Sequence, residues 1–140
     1  MSKYFFNCTN HPSKSWSEAQ TKAALDLGDE IIDIDFPNVP ATASYDEVYE
    51  IADTLRRDLF NLAGEDKSVV LLQGETTLLC ILADTSGYGR SYDLNVNYHT
   101  ASQKLQCVTA CSERRCIENA DGTRTYGFEF VQFRKSFELY

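Results

Sequence analysis

The chain has 140 residues, 43% hydrophobic and 24% charged, with a formal net charge of −8. That length suits one domain with a real core, and the composition is that of a globular protein. The acidic balance argues against a broad grip on long nucleic acid, which needs a basic footprint, but leaves room for a small anion held by a few local donors.

The N-terminus has no signal-peptide core, and no apolar run approaches membrane-spanning length, so the expectation is a soluble cytoplasmic protein with no membrane partner. Five cysteines occur, Cys8, Cys80, Cys107, Cys111 and Cys116, with no CxxC. Cys8 and Cys80 sit in apolar runs and read as buried reduced thiols. The spacing of Cys107, Cys111 and Cys116 fits no zinc pattern, so no metal or cofactor is expected.

Lys3 to Cys8, KYFFNC, is an aromatic-rich first strand. It ends in Thr9-Asn10-His11-Pro12-Ser13, where Pro12 holds His11 extended. Ser17 with Gln20, and Ser15 with Glu18, each fit the start of a helix whose apolar face is Ala19, Ala23, Ala24 and Leu27. Gly28 is placed to stop it. Glu30 to Phe36, EIIDIDF, alternates as an edge strand, with Asp33 and Asp35 on the face of Ile31. Ser44 with Glu47 forms a capping box. Val48, Ile51, Ala52, Leu55, Leu59 and Leu62 then follow at helical spacing up to Gly64.

Val69 to Leu72 runs apolar without alternation, as a strand buried on both faces does. The turn Gln73-Gly74-Glu75-Thr76-Thr77 leads into a third helix through Leu78, Leu79, Ile81 and Leu82. Thr85 to Lys104 is polar, with Tyr88, Tyr92, Tyr98 and His99. A segment of that kind either covers a ligand or is a tolerated surface insertion. Leu105 to Cys111 reads as a fourth strand, continued through Cys116 to Glu118. Asp121-Gly122 is a hairpin turn, and Tyr126 to Phe133 is a last antiparallel strand.

Strands alternating with helices predict an α/β protein: a single Rossmann-like, three-layer domain over residues 1–140. Its sheet is mainly parallel, in the order 2-1-3-4, with a C-terminal antiparallel hairpin strand. In that order the strands reverse their direction of growth between the first and third, and ligands of open α/β sheets bind at such a switch. The loops meeting there are Asn10–Ser13 and Gln73–Thr77, with Ser112, Arg114 and Arg115 nearby. A helix N-terminus supplies N–H donors, Gly74 admits a ligand to the backbone, and Thr76 and Thr77 add hydroxyls. Arg114 or Arg115 could pair with a phosphate, although on a strand at most one of them faces the site. His11 could carry a proton near neutral pH. Glu75 and Thr76 could equally only cap the helix.

Asn10-His11-Pro12-Ser13 after a first strand, followed by Trp16-Ser17 and Gln20, resembles the opening of small CRISPR-associated Rossmann-like proteins of the Csx type. Gln73-Gly74-Glu75-Thr76-Thr77 looks like their second ligand loop. These CARF-like sensors and ring nucleases bind cyclic oligoadenylates, often cleave them, and are typically homodimers. The resemblance implies metal-independent attack of a ribose 2′-hydroxyl on its neighbouring phosphate. It implies His11 as acid or base, with Asn10 beside it as the other catalytic residue, holding a phosphate by hydrogen bonding. Ser13, Thr76 and Thr77 would hold phosphates, backbone at Gly74 and Glu75 would cradle another, and Gln73 and Ser112 would line the site. Arg114 or Arg115 would balance charge, and Trp16 would stack on adenine or only pack at the helix start. A non-catalytic sensor of the same ligand, and an interaction subunit with a vestigial pocket, are the competing readings.

Overall fold

The computed structural model describes residues 2–85 and 104–140. The sequence-predicted segment between the third helix and the fourth strand lies, for residues 86–103, outside them. In chain order the elements are β1 (Ser2–Thr9), a single 3-10 turn (Ser13–Ser15), α1 (Glu18–Leu27), β2 (Gly28–Asp35), α2 (Tyr45–Ala63), β3 (Ser68–Leu72), α3 (Thr76–Thr85), β4 (Leu105–Glu118) and β5 (Arg124–Leu139). They form one five-stranded sheet in the order β2-β1-β3-β4-β5. All neighbours are parallel except β4 and β5. The fold is therefore the mainly parallel α/β sheet with a C-terminal antiparallel pair that the alternation of elements predicts.

Alternation along the strands sorts the core into two layers. Phe6, Cys8, Val70, Leu72 and Cys107 pack with Val48, Ala52, Leu55 and Leu59 of α2 and with Leu78, Ile81 and Leu82 of α3. Phe5, Val69, Leu71 and Val108 face the other way, against Ala24 of α1, with Trp16 and Phe133 at the border. Helix α2 starts at a complete Ser44–Glu47 capping box. Its buried stripe ends at Ala63, not Leu62, which is 53% exposed. From Leu59, a step of four residues keeps the core face, and a step of three turns away from it.

Two expected boundaries move. Gly28 stops α1 but in an extended conformation, and it is already the first residue of β2. A Cβ at Gly28 would sit 2.7 Å from the Phe5 nitrogen and 2.8 Å from the Tyr4 carbonyl carbon, so the residue is fixed by close backbone approach. The last strand extends far past the expected Tyr126–Phe133, because Arg134 to Leu139 continue the pairing back to Leu105 and Leu139 is fully buried. Cys8 and Cys107 are buried, but Cys80 and Cys116 are exposed, which corrects the reading of Cys80 as a core thiol. Burial pushes both the Cys8 and the Cys107 thiol up to about 12. Among the described residues, no helix is long and apolar enough to cross a membrane, and no three His, Cys, Asp or Glu side chains are grouped as metal ligands.

Candidate functional site

At the carboxyl ends of β1 and β3 a cleft of about 640 Å³ opens on the α1 side of the sheet. It is bounded below by Thr9 and Leu71, on one side by His11, Trp16 and Gln20, and on the other by Gln73, Ser112 and Phe130. This is the crevice beside the point where strand order reverses, the ligand position of open α/β sheets. The two loops singled out in the sequence do adjoin there: the Gln73 amide donates to the Cys8 carbonyl at 3.3 Å.

The first loop is held from beneath by residues that sequence reasoning missed. Asn7, 1% exposed, points to the α1 side and uses both amide protons. One goes to the His11 carbonyl at 2.8 Å and the other to Asp33 Oδ1 at 2.9 Å. Thr9 Oγ1 lies 2.9 Å from Asn7 Oδ1 and 3.0 Å from the His11 carbonyl, so its one proton serves either, and it accepts from the His11 amide at 3.1 Å. Asp33, the register partner of Asn7 on β2, also accepts from the Ser13 amide and, at 3.1 Å, from the Ser13 hydroxyl. A buried amide with all its bonds made is a rigid support. The signal available in the sequence was a single polar residue, Asn7, inside an aromatic strand, opposite a carboxylate at the same register of the neighbouring strand.

These bonds assign several expected site residues to structural work. Ser13 is bound to Asp33, and neither Ser13 nor Asn10, which is exposed, lines the cleft. His11 is exposed and lines it. Trp16 lines it too while packing edge-on to Phe5, with ring centroids 6.0 Å apart. Helix α1 is capped by Ser17, whose side chain accepts from the Gln20 amide. Ser15 instead donates to the Pro12 carbonyl at 2.8 Å.

The second loop divides at Gln73. Alternation sends Leu71 and Gln73 to the cleft, and Leu72 and Gly74 to the opposite layer. There the Phe36 ring occupies the space a Gly74 side chain would need; a Cβ would lie 2.5 Å from its atoms. Gly74 thus admits Phe36, not a ligand. The N-terminus of α3 is likewise filled from within: the Glu75 carboxylate accepts from the Leu78 amide at 2.8 Å. That bond, with further ones from the Thr77 backbone and side chain, holds the Glu75 carboxyl below its usual range. Glu75, Thr76 and Thr77 therefore begin a helix on the far layer, and none of them lines the cleft.

Ser112 reaches the cleft, and the two arginines beyond it do not. Arg114 shares the face of Ser112 and stacks over the Tyr126 ring at 4.3 Å. Arg115 lies on the other face, bonded to Glu129 at 2.6 Å and near Glu113 at 3.5 Å. Among the described residues lining the cleft there is no lysine or arginine. What these residues offer is hydroxyl and amide groups from Ser15, Ser17, Gln20, Gln73 and Ser112, the His11 imidazole, and apolar ring surface from Trp16, Phe128 and Phe130, with Glu129 as an acidic neighbour. Such a surface suits a ligand with hydrogen-bonding edges and a flat ring.

No curated protein and no solved structure matches the chain. The sequence model described as the uncharacterized protein MJ1673 family matches residues 3–134, and the chain belongs to that family.

Proposed function

We propose that the cleft binds a cyclic oligoadenylate and that the protein is a CRISPR-associated ring nuclease, cytoplasmic and homodimeric, that removes this messenger and so switches off type III CRISPR signalling. The observation that carries the reading is the meeting of His11 and Gln73, from loops far apart in sequence, with Trp16 in one crevice at the strand-order switch. In the proposed step a ribose 2′-hydroxyl attacks the adjacent phosphorus and the 5′-oxygen leaves. The products are a 2′,3′-cyclic phosphate and a 5′-hydroxyl. His11 carries the proton, and no metal or cofactor takes part. Gln20, Gln73 and Ser112 donate to phosphate oxygens, and Trp16 stacks on an adenine.

The absence of lysine and arginine from the described lining favours a second reading, in which the same ligand is bound and sequestered without turnover. Incubation with labelled cyclic tri-, tetra- and hexa-adenylate in the presence of a chelator separates the two. Products lost in His11→Ala support the nuclease. Binding without products supports the sequestering protein. Neither binding nor products with any ring ends both.

A further inference from the structure

Strand β2 is an edge of the sheet: β1 pairs along one side of it, and no described strand lies beyond the other. Every second residue of β2 therefore turns its backbone N–H and C=O outward. On the α2 side of this edge a groove of about 340 Å³ runs between β2 and α2. Its floor is apolar, from Ile34 and Pro37 at the strand and from Ile51 and Leu55 of the helix. Ile34 and Ile51 are only half-buried, so the core layer is left open here.

The rim of the groove is acidic. Glu50, Thr54 and Asp58 line it and are exposed, and steps of four residues set them in one row along α2. About 12 Å of helix axis separates the two carboxylates of that row. Asp35 joins them at the end of the strand. Among the described residues, none of Asp35, Glu50 and Asp58 has an ion pair. From Gly28 to Ala63 the only cations are Arg56 and Arg57, and Asp53 holds both.

The geometry points to this edge as the docking site for an extended segment of another protein, added as a strand beside β2, with lysine or arginine at two positions four residues apart. Strand addition gives the outward backbone groups of β2 their partners. Residues four apart on a strand lie about 13 Å apart on the same face, close to the spacing of Glu50 and Asp58. Each long basic side chain lays its aliphatic stem on the apolar floor and carries its charge to the rim. An apolar residue midway between them covers Ile51 and Leu55. Acidic groups along a strand edge repel a like edge, so a second copy of this chain is disfavoured there and a cationic strand is selected. The groove lies on the opposite layer of the sheet from the His11 cleft, so its occupancy does not depend on any ligand of that cleft.

The test titrates the isotope-labelled full chain with a blocked peptide, Thr-Lys-Thr-Val-Thr-Lys-Thr, and follows backbone amide shifts. Saturable shifts are expected along β2 and from Glu50 to Asp58. The isomer Thr-Lys-Thr-Lys-Thr-Val-Thr, of the same charge but the wrong spacing, binds more weakly, and so does the first peptide with its backbone N-methylated at alternate residues. Glu50→Lys raises the dissociation constant about tenfold or more, because it sets like charges together. Asp26→Lys, the same change of charge on α1, leaves it within about twofold. Circular dichroism confirms that each variant is folded, and Asp58→Lys replaces Glu50→Lys if the latter is not. No saturable binding up to about 1 mM peptide overturns the inference. Equal binding of the isomer or of the N-methylated peptide, or an equal loss in Asp26→Lys, overturns it as well.

Discussion

The side-chain amide of Asn7 lies 2.9 Å from the carboxylate of Asp33, at matched register on neighbouring strands. With Thr9 it fixes the turn that presents His11. Replacing Asn7 by Ala removes a donor from the His11 carbonyl and from Asp33 Oδ1 and leaves Thr9 only the His11 carbonyl to bond, at an expected cost of about 1–3 kcal/mol in chemical denaturation. Asp33→Asn keeps the shape and loses the charge, and should cost less. The double variant should fall short of the sum of the two, because both changes break the same bond.

Gly74→Ala is a test of packing. The new methyl group must displace the Phe36 ring from a filled layer, so the variant should lose about 1–3 kcal/mol of stability. Pairing it with Phe36→Leu should recover part of that loss. A Gly74→Ala chain of wild-type stability would show that Phe36 can move aside freely and that the glycine has some other purpose.

Glu75 makes a pH-dependent contribution. Its carboxyl is held below the ordinary value of 4.5, chiefly by the Leu78 amide, so the folded state favours the charged form. That stability is present above the unfolded value and is lost as pH falls through the lower folded one. The melting temperature of Glu75→Ala should therefore lie below wild type at pH 7. The gap should narrow as pH falls from 4.5 through the lowered folded value, where the wild-type cap takes up its proton.

The thiols divide by burial. Cys8 and Cys107, pushed up to about 12, should resist a thiol reagent at pH 8 until the chain unfolds. Cys80 and Cys116 are exposed and should react at once. Peptide mapping after a short pulse of alkylation reads the difference, and fast labelling of Cys107 would mean that the layer between the sheet and α2 opens easily.

The architecture was legible because it rests on period and order: Val69–Leu72 read as a buried strand, Ser44–Glu47 as a helix start, Asp121-Gly122 as a turn. Strand alternation was also present in the sequence, but the expected site did not use it at β3. Gln73 and Gly74 are adjacent residues that face opposite layers, so a turn read as one ligand loop contributes a single side chain to the cleft. Asn7 was passed over because it was read as part of a strand, and its partner Asp33 is distant in sequence. Arg114 and Arg115 were drawn toward the site because the end of the fourth strand was read as level with that of β3, whereas β4 runs on past β3 and there pairs with β5 alone.

Gly28 ends α1 and begins β2 with no connecting loop, wedged against the backbone of β1. The helix and the edge strand are thereby joined as one lever whose fulcrum is that glycine. The opposite end of the helix, at Ser17 and Gln20, borders the cleft. An occupant of the cleft therefore meets α1 at its first turn, at the far end of the helix from that glycine.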